Sequence, residues 1–274
     1  MTMKTVDRIA RFSLTVANTG QMARFYVEAL GFMPGKTVRA TAAPYGVDGQ
    51  ATIRRLRLGQ QEIELVGFDE TGAFYPEDST SHDSWFQHLA LVTTDMAAAY
   101  ARLSANTDWR AITTRGGTTG GGPVTLPHAS GGVTAFKFRD PEGHPLELLE
   151  LPPGSGTSEA GIDHSAIVVA HAEQAIAFYE ALGLKVSSRS ANQGPEQEAL
   201  DAAPDVRVDV TGLSPPQASP HIELLSYRTP AIRPGMVGPA DIACTRSVLI
   251  PSDPGGAGQM LIDPDGHRIM LVLD

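Results

Sequence analysis

The 274-residue chain is poorest in cysteine, with Cys244 standing alone. One cysteine excludes an intramolecular disulfide and fits a reducing compartment. It also means that any tightly held metal must rest on nitrogen and oxygen donors. Long apolar runs are missing too. No stretch approaches the roughly 20 residues needed to cross a bilayer, and residues 1–16 show no apolar segment followed by a small-residue cleavage site, so a secretory leader is not expected. Positive charge is in deficit, 21 Lys and Arg against 31 Asp and Glu, for a net charge of -10 at pH 7. That balance argues against non-specific nucleic-acid binding and against attraction to anionic membranes. What remains is an ordinary globular composition, 42% hydrophobic and 19% charged, in a length that allows one large domain or two smaller ones. The expectation is a cytoplasmic protein with no nucleic-acid or membrane partner.

What the chain does contain is a repeat. Phe25-Tyr26-Val27-Glu28-Ala29-Leu30-Gly31-Phe32 returns, one residue shorter, as Phe178-Tyr179-Glu180-Ala181-Leu182-Gly183-Leu184. A β-branched strand precedes each copy, at 12–16 and 165–169. Helix-period segments at 19–30 and 172–182 lead into the motifs, and each helix ends at a glycine suited to a left-handed stop. A second echo pairs Asp140-Pro141-Glu142-Gly143-His144 with Asp263-Pro264-Asp265-Gly266-His267. Asp, Pro and Gly in that order predict a tight hairpin turn before a final strand.

These anchors divide the chain into four units at about 6–68, 85–151, 162–228 and 241–274. The fourth is truncated, because residues 251–258 cannot form the expected helix. The domain reading is 1–151 and 161–274, joined by a proline- and glycine-rich linker at 152–160. A glycine cluster at 116–122 reads as a loop, lacking the strand-to-helix context of a phosphate cradle.

The motifs Phe-Tyr-x-x-Ala-Leu-Gly-Phe and Asp-Pro-Glu-Gly-His-Pro-Leu-Glu-Leu, within strand–helix–three-strand units, resemble the vicinal oxygen chelate superfamily (glyoxalase, bleomycin resistance protein and extradiol dioxygenase). The resemblance covers nearly the entire chain. It implies an α+β fold of tandem βαβββ units, with curled, cup-like mixed sheets and the helices outside. It also implies metal donors at the first and last strands of each unit. Those positions are occupied by Arg11 and Glu64 in unit one, His88 and Glu147 in unit two, and His164 and Glu223 in unit three. In unit four they fall at about Thr245 and at Met270. The same interval separates His88 from Glu147 and His164 from Glu223.

Two pairings of units are open. If two pairs with three, one cup gathers His88, Glu147, His164 and Glu223. If neighbours pair, the set is Glu64, His88 and Glu147. The first is slightly preferred, since the donors are lost in units one and four together, and the long stretch at 69–84 permits the exchange.

The resemblance implies one divalent metal ion (Fe, Mn, Zn or Ni), a small-molecule substrate with vicinal oxygens, and isomerase, lyase or ring-cleaving dioxygenase chemistry. The alternative is a metal-free sequestering protein of the bleomycin-resistance type, and a homodimer is allowed. His221 and Tyr227, at even spacing from Glu223, share its face as acid/base candidates or as wall residues. Arg11 reads either as a substrate-binding cation or as a fixed charge that replaces a lost metal and pairs with Glu64. His144 is expected to shape its turn.

Overall fold

The computed structural model describes residues 5–115, 118–119, 121–155, 159–217, 220–253, 255 and 258–273. The glycine cluster, the linker and the 251–258 segment therefore lie partly outside the described residues.

Unit one runs β1 (Val6–Thr15), α1 (Thr19–Leu30), β2 (Met33–Thr41), β3 (Gln50–Leu58) and β4 (Gln61–Phe68). Unit two has β5 (Gln87–Val92) and α2 (Met96–Ser104). Four two-residue strands follow: β6 (Arg110–Ala111), β7 (Thr114–Arg115), β8 (Thr118–Thr119) and β9 (Val124–Thr125). The unit closes with β10 (Thr134–Arg139) and β11 (Pro145–Glu150). Unit three is β12 (Gly161–Val168), α3 (Ala172–Ala181), β13 (Lys185–Gln193), α4 (Pro195–Asp201), β14 (Arg207–Ser214) and β15 (His221–Thr229). Unit four keeps β16 (Thr245–Pro251), β17 (Gln259–Ile262) and β18 (Arg268–Leu271), with no α-helix among its described residues. No helix among the described residues is long and apolar enough to cross a membrane.

Local chemistry sets the boundaries. The Asn18 side chain accepts from the N–H groups of Gly20 and Gln21 and starts α1, which ends at Gly31 with φ +80°. The buried face of α1 is Met22, Ala23, Phe25, Tyr26, Ala29 and Leu30, the helical stripe the sequence pattern predicts. The short helix α4 was not foreseen. Pro195 opens it and Ala202 closes it in the left-handed region, with φ +54°.

Besides the small β7-β8 hairpin, two large mixed, open sheets result among the described residues, and each joins units from both halves of the chain. Units two and three form the inner-unit sheet, in the order β13-β14-β15-β12-β5-β11-β10-β6, with β9 beside β10. Units one and four form the outer-unit sheet, β17-β18-β16-β1-β4-β3-β2. The central junctions, β5 with β12 and β1 with β16, are antiparallel. The exchanged pairing is therefore the one adopted. The 69–84 stretch runs beside the segment linking β15 to β16. Arg233 binds Asp83 at 2.6 Å and Asp78 at 2.7 Å there, and the Gly235 N–H donates to the Ser84 hydroxyl.

The Asp-Pro turns do more than reverse the chain. Asp140 Oδ1 accepts the N–H groups of Glu142, Gly143 and His144. Its Oδ2 takes the Tyr26 hydroxyl at 3.0 Å and His144 Nδ1 at 2.8 Å. The other nitrogen of His144, Nε2, donates to the carbonyl of Thr15 at 2.8 Å. The turn of unit two is thereby stapled to β1 and α1 of unit one. Unit four repeats the device on unit three: the Tyr179 hydroxyl donates to Asp263, and His267 Nε2 donates to the Val168 carbonyl. Burial works against the charged form of His144, but Asp140 outweighs it and the imidazole pKa is raised above 6.5.

Asp140→Ala leaves a buried tyrosine, a histidine and three amides without their acceptor. A loss of about 3 kcal/mol or more is expected in urea unfolding, and a loss under about 0.5 kcal/mol would reject the staple. His144→Gln tests the linkage. The raised native pKa makes the imidazolium contribution complete below pH 6.5 and lost as pH rises through the native value. The stability gap between wild type and His144→Gln should accordingly narrow with increasing pH.

Candidate metal centre

The antiparallel register of β5 and β12 sets Ala166 opposite His88 and His164 opposite Ala90. Parallel neighbours add Glu147 beside Ala90 on β11, and Glu223 beside Ala166 on β15. Strand alternation then turns the four donors into one concave face. The two alanines between them, both fully buried, leave room for the longer side chains to converge. His88, Glu147 and His164 are each at most 5% exposed.

The donor atoms stand close together. His88 Nε2 lies 3.1 Å from Glu147 Oε2, and His164 Nε2 lies 3.8 Å from the same oxygen and 3.5 Å from Glu223 Oε2. Among the described residues, His164 Nε2 is buried with no hydrogen-bond partner. Such a nitrogen is costly to bury unless something other than a side chain completes it. One donor atom each from His88, Glu147 and His164 fits within 4.8 Å of the others. Two imidazoles and two carboxylates suit a divalent ion and leave open coordination positions.

Electrostatics point the same way. Burial and then Lys137 lower the pKa of His88, keeping it neutral and able to donate a lone pair. Burial also opposes charge on His164, but Glu223, Asp163 and Glu147 together raise it to about 9. Burial would raise Glu223, yet His164 and His221 bring it down to about 2. A cation held by His164 Nε2 would have to displace a proton from it.

The donors line a cavity of about 400 Å³. Tyr227 shares it but is committed elsewhere: its hydroxyl donates to Asp201 at 2.9 Å, and burial followed by Asp201 raises its pKa. His221 does not line the cavity; its Nε2 lies 3.5 Å from Glu223 Oε1 and its Nδ1 3.8 Å from Asp163 Oδ2.

Three functional-site residues escaped the sequence reading. Lys137, cross-strand from Glu147, is buried and bonds Asp201 at 2.6 Å. Its signal was a lone cation between Phe136 and Phe138. Asp201 sits on the unforeseen helix α4, where Gln197 and Tyr227 also donate to it. Asp163 bonds His164 Nδ1 at 2.9 Å. Alternation places it on the opposite face from His164, but a bulge between Ile162 and His164 breaks the period.

The outer-unit sheet holds the counterparts. Arg11 Nε bonds Glu64 Oε2 at 2.6 Å, and Tyr45 donates to the other Glu64 oxygen at 2.9 Å. Glu64 is thus not brought to His88 and Glu147, and Arg11 stands apart from the four donors. The structural equivalent of His88 is Arg246 rather than Thr245, because Arg246 pairs with Ser13 as His88 pairs with Ala166. Arg246 is fully buried against the Tyr45 ring, and Met270 joins an apolar cluster with Tyr45, Phe68 and Val248. That cup is filled by side chains.

His88→Ala and His164→Ala should each abolish stoichiometric metal binding by elemental analysis, while Arg11→Ala retains it. Metal loss in only one histidine variant would break the single-cup assignment.

With this geometry in view, the comparisons are specific about ancestry. The family model for the glyoxalase/bleomycin resistance protein/dioxygenase superfamily matches residues 8–148 and 161–246. Among solved structures, the V278E mutant of glyoxalase I from Zea mays superposes with a TM-score of 0.64 at 15% identity, covering 97% of this chain and 92% of that one. Glyoxalase I from Zea mays gives 0.61 at 16% identity, with 97% and 92% coverage. A candidate dioxygenase of Bacillus subtilis gives 0.56 at 15% identity, with 92% and 73% coverage. At these identities the likeness shows the fold alone. No curated protein sequence matches. The chain belongs to the glyoxalase/bleomycin resistance protein/dioxygenase superfamily.

Proposed function

We propose that this protein is a divalent-metal-dependent enzyme acting on a small substrate through two adjacent oxygens, by isomerase or lyase chemistry. The observation that carries the reading is the convergence of His88, Glu147 and His164, all buried, and of the half-buried Glu223 around an imidazole nitrogen that has no hydrogen-bond partner among the described residues. When bound, the ion supplies Lewis acidity to two adjacent substrate oxygens and stabilises the negative charge that develops on them. His88, Glu147 and His164, with Glu223 beside His164, are the residues that would hold the ion and leave it accessible to a substrate from the cavity.

The chain's own residues would do the rest. Leu149, Leu200, Val208, Val210 and Leu225 wall the cavity and exclude water from the substrate body. Lys137 is held by Asp201 close enough to lower the pKa of His88, so its ammonium adds positive potential beside the reacting oxygens. His221, one-fifth exposed, reaches both Glu223 and solvent and is the residue placed to carry a proton outward.

Protein purified without a metal-affinity tag is expected to hold about one divalent ion per chain. After cobalt loading, tropolone, a bidentate oxygen ligand, should shift the visible absorption and should not bind metal-stripped protein. Equal tropolone binding with and without metal would favour the metal-free sequestering alternative. Oxygen uptake with a catechol would instead assign a ring-cleaving dioxygenase.

A further inference from the structure

We infer that Asp163 and His221 form a clasp that orients His164 and Glu223, making unit three the anchoring half of the metal centre. This rests on the metal-site reading above.

Four contacts close a ring. Asp163 Oδ2 accepts from His164 Nδ1 at 2.9 Å, and His164 Nε2 faces Glu223 Oε2 at 3.5 Å. Glu223 Oε1 faces His221 Nε2 at 3.5 Å, and His221 Nδ1 faces Asp163 Oδ2 at 3.8 Å. The carboxylate at Nδ1 holds the proton there, so the proton lost to an entering cation would be the one on Nε2, leaving that lone pair directed at the cup. That tautomer is what a metal ligand needs. His221 faces Oε1 of Glu223, which leaves Oε2, on the His164 side, as the oxygen that would be free to hold an ion.

Unit two has no such device. His88 bonds Glu147 directly, and its Nδ1 is buried without a partner among the described residues. One half of the site is thus held ready from behind, while the other must separate its own pair to accept an ion.

The repeat supplies an internal control. The strand bulge that admits Asp163 occurs at the matching place in unit one, between Ile9 and Arg11. The bulge therefore belongs to the fold. Its residue in unit one is Ala10, beside an arginine. In unit three it is a carboxylate, beside a histidine. Acid at the bulge accompanies the retained donor, as expected if its task is the histidine and not the bulge.

The test uses full-length protein, with zinc dissociation constants measured against a chromophoric chelator. Nitrogen-15 spectra of the histidine side chains in zinc-loaded protein accompany them. Asp163→Ala should weaken zinc by about 10- to 100-fold, without changing the stoichiometry of the weakened site. The His164 Nδ1–H signal should move upfield and exchange faster with water, because it has lost its carboxylate acceptor. Asp163→Asn, which keeps an acceptor oxygen, should recover much of the affinity, and His221→Gln should cost less than Asp163→Ala. Thermal melts confirm that each variant folds. Wild-type affinity in Asp163→Ala overturns the clasp, as does weaker binding with an unchanged His164 pattern. Failure of wild type to bind any divalent ion sinks the metal-site reading itself, a result distinct from either.

Discussion

The antiparallel junction of β5 with β12 is the contact on which the candidate centre depends. Its register relates unit two to unit three by a local twofold, so His88 and His164 lie on adjacent strands and each faces an alanine of the other. Their glutamates arrive from the flanking parallel strands. Slipping this junction by one residue would turn one histidine to the far face of the sheet. Apolar neighbours hold the register: Leu89, Leu91, Ile162 and Ile167 are packed into the main core beneath it.

The outer-unit sheet shows what the same frame becomes without the two histidines. Arg11 and Arg246 stand where the histidines stand in the inner-unit sheet, and the guanidinium of Arg11 gives Glu64 a permanent counter-ion. A buried ion pair is poor at adding stability, because desolvation consumes most of its attraction. It does satisfy a glutamate that the repeat retains, and Tyr45 takes the remaining oxygen. The apolar cluster around Met270 then closes the space. One cup is thus structural support for the other, and the polar donors are concentrated where the cavity is.

Two kinds of tie interlock the chain. Sheets join units across the halves, while the Asp-Pro turns join neighbouring units within each half through Tyr26, His144, Tyr179 and His267. Arg102 adds a helix-to-helix link, donating to the last carbonyls of α1 at Ala29 and Leu30, where a cation favours the helix dipole. Since each unit is engaged in both directions, separating the halves would open both sheets. The ion pairs of Arg233 across the two long connections lie at that crossing.

Much of this was readable from residues alone, because it is local or repeated. The stripe on α1, its stop at Gly31 and the two Asp-Pro turns follow from periods and backbone preferences that neighbours in sequence determine. The two His/Glu pairs were visible as equal intervals in matched units. What the tertiary structure decided is which units meet, since either pairing satisfies the same alternation pattern and only packing of the long connections chooses. It also decided that the turn histidines reach another unit, that Lys137 and Asp201 meet across the cavity, and that Arg246 takes the place read at Thr245. Asp163 is the plainest case. Period-two alternation places it on the far side of β12, and a single bulged residue, a three-dimensional property of paired strands, brings it back beside His164.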